Sequence, residues 1–71
     1  MLIIAYEYKR PQDRRAIEMC GVFENLYAFN QFQRREYERC KADILSAQTL
    51  FQDDNITVKQ WQDQQREKGL W

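Results

Sequence analysis

The chain has 71 residues, with eleven basic side chains balancing eleven acidic ones. That length holds one domain with a marginal core of its own, and the neutral balance supplies no global field for nucleic acid or an anionic membrane. Histidine is absent, so the usual base near neutral pH is missing, and Cys20 and Cys40 match no zinc spacing and make no disulfide framework.

The opening "MLIIAYEYKR" lacks the positive n-region and small-residue cleavage site of a signal peptide. No stretch approaches the ~18–20 apolar residues of a membrane span. A soluble cytoplasmic protein with reduced thiols, no cofactor and no metal is therefore expected. Within residues 2–9, Leu2, Ile4, Tyr6 and Tyr8 alternate with Ile3, Ala5, Glu7 and Lys9, which predicts a β-strand. Pro11 ends that strand and suits the first turn of a following helix, with Asp13 near the helix's positive end.

Residues 12–51 contain no further proline, and only Gly21 argues against helix, at roughly 1 kcal/mol relative to alanine. Ala16, Met19, Phe23, Leu26, Tyr37, Cys40, Ile44, Ala47 and Phe51 fall on one 3-4 alternation, with Asn30 and Gln33 as its polar positions. The spacing predicts a long central helix, or an αα-hairpin broken near Asn30, with a coiled-coil-like seam. Met19, Phe23, Leu26, Asn30, Tyr37, Ile44 and Phe51 would form that seam between two copies, Asn30 fixing the register. Before residue 30 the flanks are also apolar, and after residue 33 they are charged, so the stripe narrows along the chain. On a straight helix Cys20 and Cys40 would stand ~30 Å apart, beyond disulfide reach, whereas a hairpin would allow them to pair.

Thr57 and Gln60 make a T-x-x-Q capping box, Ile56 and Trp61 occupy hydrophobic-staple positions, and Gly69 follows Arg66 and Lys68 as a C-terminal stop. These signals predict a short helix over 58–68, with a strand over 56–58 as the alternative. The expected fold is mainly α: one small domain with an N-terminal strand, the long helix or hairpin, and the short C-terminal helix.

The segment 57–70, "TVKQWQDQQREKGL", resembles the recognition helix and its sequel in transposase-type helix-turn-helix domains, through Val58, Trp61, Gly69 and Leu70. The resemblance covers a fifth of the chain and implies that Thr57, Lys59 and Gln60 face a DNA major groove, with Arg66 further along. It departs from that pattern upstream, where Gln52 and Asp53 replace a glycine and an apolar residue, and Asp53 and Asp54 would oppose phosphates.

No nucleotide-binding or nucleophile motif is present, and Asp53-Asp54 reads as a solvated cap before a helix. A non-catalytic function is expected: a small regulator that binds and modulates a larger protein, as a homodimer. The rings and arginines of the middle segment, Phe29, Phe32, Arg34, Arg35, Tyr37 and Arg39, would carry the contact. Phe32 points away from the seam on a straight helix. Either it meets a partner, or the strand or C-terminal helix covers it, through Tyr6, Tyr8, Trp61 or Trp71. The alternative is a small DNA-binding regulator using the C-terminal helix.

Overall fold

The computed structural model describes residues 1–69. Leu70 of the helix-turn-helix resemblance and Trp71, one of the rings considered for covering Phe32, lie outside the described residues. Five elements follow one another: β1 (Leu2–Lys9), β2 (Ile17–Phe23), α1 (Leu26–Cys40), β3 (Asp43–Gln52) and α2 (Val58–Glu67). Strand and helix shares are about equal, which corrects the expectation of a mainly α fold. The long helix or helical hairpin over 12–51, and with it the coiled-coil seam, gives way to strand, helix and strand.

The sheet has the order β2-β1-β3, antiparallel throughout. β1 is the central strand, so its backbone groups are paired on both sides within the chain. A second copy is not needed to satisfy its edges. β2 and β3 run parallel to each other with β1 between them, and α1 is the crossover that joins them.

Why the helical periodicity misled follows from the register. On β2, Met19 and Phe23 are four apart, a spacing that fits two strand repeats as well as one helical turn. On β3, Ile44 opposes Tyr8 and Ala47 opposes Tyr6, both on the helix-covered face, yet they are three apart. Register shifts leave Leu45 and Leu50 without a partner on β1, and each extra residue inverts the alternation. A bulged strand thus imitates a 3-4 pattern.

Local chemistry explains the boundaries. Arg10 and Asp13 close the turn after β1: the Arg10 Nε donates to Asp13 Oδ2 at 3.0 Å, Nη2 donates to Oδ1 at 3.1 Å, and the Asp13 N–H returns to the Arg10 carbonyl at 3.0 Å. The paired guanidinium holds the Asp13 carboxyl below the usual range. Asp13 therefore serves a turn and caps no helix. Asn25 starts α1, its Oδ1 accepting the Ala28 N–H at 2.8 Å. Lys41 ends it in the left-handed region at φ 59°, its N–H donating to the Tyr37 carbonyl at 2.8 Å.

One face of the sheet lies under α1. Leu2, Ile4, Tyr6 and Tyr8 are buried there with Phe29 and Ala42, and Phe23, Phe32, Cys40 and Ile44 pack around them. The rings interlock: Phe23 meets Phe29 edge-on at 5.0 Å, Tyr6 meets Phe32 at 5.6 Å, and Phe23 lies 5.4 Å from Phe32. Gly21 makes room for this cluster, because a Cβ there would stand 2.8 Å from the Phe23 ring.

α2 is peripheral and buries no residue fully. Its capping box is complete, with the Gln60 N–H donating to Thr57 Oγ1 at 3.1 Å and the Thr57 N–H to Gln60 Oε1 at 3.0 Å. The Glu24 carboxylate accepts the Val58 N–H at 2.9 Å and ties this end of α2 to the β2–α1 turn.

Candidate protein-docking surface

The helix packs through Phe29, Phe32, Glu36 and Cys40, positions three or four apart that form one stripe toward the sheet. The opposite stripes are left to solvent. Glu36 is held twice: its carboxylate accepts from Arg39 at 2.9 and 3.0 Å, and Oε1 also accepts the Tyr8 hydroxyl at 3.4 Å. Tyr8 lies 3.3 Å from Cys40 Sγ as well. The Cys40 contact, burial and the Glu36 charge push the Tyr8 hydroxyl up to about 12.

Beside this packed stripe, α1 and the start of β3 border a shallow, open groove of about 410 Å³ lined by Asn30, Gln33, Arg34, Tyr37, Ala42, Asp43 and Ile44. Asn30, Arg34 and Tyr37 lie on one line of the helix, at spacings of four and three, and Lys41 follows as its left-handed cap. Tyr37 is 51 % exposed, and the Lys41 ammonium stands over its ring at 5.1 Å from the centroid. Among the described residues the ion pairs are Arg10–Asp13 and Arg39–Glu36, so Arg34 and Lys41 have no carboxylate partner there.

The outer edge of β3 runs on from this groove. β3 is an edge strand of ten residues. It has no charged side chain between Asp43 and Asp53 and no proline. Leu45 and Leu50 are each 56 % exposed. The other edge, β2, is shorter and carries Glu18.

A second hollow, of about 600 Å³, lies on the uncovered sheet face over Ala5, Cys20, Ser46 and Gln48. It is a consequence of short side chains in the middle of the sheet. Glu7 and Glu18 oppose each other at its rim in the strand register.

The residues singled out from sequence are distributed as follows. Of the expected partner-binding set, Phe29 is buried and Phe32 packs on Tyr6 and Phe23, while Arg34, Arg35, Tyr37 and Arg39 are exposed on α1. The expected seam is dispersed. Phe23 and Ile44 join the core, Leu26 is 61 % exposed, Met19 lies on edge strand β2, and Phe51 opposes Ile3 on the uncovered face. Asn30, Tyr37 and Ile44 nevertheless meet, in the α1–β3 groove. Cys20 opposes Ala5 on the uncovered face and Cys40 lies on the other, so the sheet separates the two thiols.

In the alternative DNA reading, Thr57 and Gln60 are occupied by the capping box, and Lys59 and Arg66 are exposed on α2. β3 stands where a helix-turn-helix would need its first helix. Leu45 and Leu50 escaped the sequence reading as surface-forming residues, and Gln33 and Lys41 stood outside the expected partner-binding set. The run "ILSAQTLF", rich in β-branched and large apolar residues with no charge, was the available signal.

No family model, curated protein or solved structure matches the chain. Among the described residues there is no group of side chains suited to a metal and no helix long and apolar enough to cross a membrane.

Proposed function

We propose that the protein is a non-catalytic interaction module that modulates a larger protein by accepting one of its extended segments along the outer edge of β3. The observation that carries this reading is a ten-residue edge strand, uncharged from Ile44 to Gln52, whose first two residues border a groove beside α1. Unpaired edge N–H and C=O groups form a template for another strand, and soluble proteins usually blunt such edges with lysine, proline or a cover. Among the described residues this edge has none of those three from Ile44 to Gln52, and the two register irregularities in its pairing with β1 are the protection it does carry. Main-chain pairing would supply affinity, and side chains entering the groove against Tyr37 and Ile44 would supply selectivity.

The sequence-based expectation of an arginine- and ring-bearing surface is retained in part: Arg34 and Tyr37 border the docking line, and Phe29 and Phe32 support it from the core. A second copy of the chain is the competing occupant, through β3 of each protomer side by side.

Light scattering over a range of concentrations, combined with amide exchange, tests the proposal. A monomer whose β3 outer-edge amides exchange rapidly, and become protected when an extended peptide is added, is the expected result. A stable dimer with those amides already protected would assign the edge to self-association. Slow exchange in a monomer, unaffected by any extended peptide, would overturn the reading.

A further inference from the structure

We propose that the segment accepted by β3 is acidic, with two carboxylates flanking one apolar side chain in the pattern acidic–any–apolar–any–acidic. This inference rests on the strand-addition reading and names the chemistry of its partner. Arg34 and Tyr37 line the groove from α1, and Lys41, the cap residue just past the helix, holds its ammonium 5.1 Å from the Tyr37 ring centroid at the groove's margin. Neither cation has a carboxylate partner among the described residues, and Glu38, one turn from Arg34, forms no bridge with it. Asp43 places one carboxylate on the opposite wall, with Lys9 beside it in the strand register and no ion pair between them among the described residues.

The spacing supports the pattern. Along a helix, Arg34 and Lys41 are separated by about 10 Å at 1.5 Å per residue, with Tyr37 between them. Along an added strand, side chains on one face recur about every 7 Å, so the first and fifth residues of the pattern stand about 14 Å apart. The long arginine and lysine side chains reach across the difference. The middle residue then falls over Tyr37 and Ile44, the apolar part of the groove.

The test uses the whole protein, labelled for amide NMR, and a nine-residue peptide with glutamate at its third and seventh positions and valine at its fifth. Its companions carry glutamine in place of both glutamates, or N-methyl groups on alternate backbone amides. The acidic peptide is expected to shift the amides of residues 44–50 and to bind roughly fivefold to tenfold more tightly than the glutamine peptide. Raised salt, or the exposed-site changes Arg34→Gln and Lys41→Gln, should remove that advantage. Equal binding of the glutamine peptide would overturn the acidic specificity and leave strand addition standing. Equal binding of the N-methylated peptide would overturn strand addition itself, and absence of binding by all three would overturn both.

Discussion

The Tyr8 hydroxyl has three neighbours that disfavour its ionisation: the Cys40 sulfur, an apolar surround and the Glu36 carboxylate. Its raised value in the fold, about 12 against 10.0, means that the protonated form is the one the fold prefers. The stability it contributes is complete below pH 10 and disappears as pH rises toward about 12. Denaturant titrations across that window should show the wild type losing stability, and Tyr8→Phe should flatten part of the decline. Lys41 offers a second residue-level test. A lysine at φ 59° has a Cβ where glycine would have none, so Lys41→Gly should raise stability by about 0.5–1 kcal/mol in chemical unfolding. The same change removes a cation from the groove's margin. Stability and acidic-peptide affinity should thus move in opposite directions.

Elements differ in how much of the core they hold. Phe29 brings α1 into contact with Tyr6, Phe23 and Phe32, and Phe29→Ala should cost about 3–5 kcal/mol, enough to threaten a domain of this size. Gly21→Ala forces a methyl against a ring already wedged between Phe29 and Phe32. A loss of about 1–3 kcal/mol is expected in thermal or denaturant unfolding. Thr57→Ala should behave differently, lowering helical content at the C-terminal end by about 1 kcal/mol of local stability while the sheet amides stay protected.

These contrasts also show what could be read from the sequence. The alternation of β1 and the capping chemistry of α2 are signals contained within a few adjacent residues, and the structure has a strand and a helix there. The middle of the chain is different, because spacings of four fit both periods on β2 and two bulges turn β3's alternation into spacings of three and four. Only pairing partners, distant in sequence, distinguish those cases. The groove was partly visible through Arg34 and Tyr37. Its second wall depends on β3 returning beside α1, which no local pattern announces.

For the molecule as a whole, a single ordered sheet divides two environments. Mild oxidation should link Cys20 between molecules, since Cys20 is exposed, and should not join Cys20 to Cys40 across the sheet. Mass spectrometry of the oxidised protein would check this, and an abundant intrachain disulfide would contradict the fold. The placement of β1 between two strands that both follow it has a consequence in time. As the chain emerges from a ribosome, β1 can pair with β2 early, but its other edge stays bare until all of α1 and then β3 have been made. During that interval the apolar side of a two-stranded ribbon is open to whatever lies nearby. The last strand to arrive completes the sheet, and it is also the strand whose outer edge remains available afterwards. Synthesis therefore moves the vacant edge outward, from one that folding fills to one that a partner can.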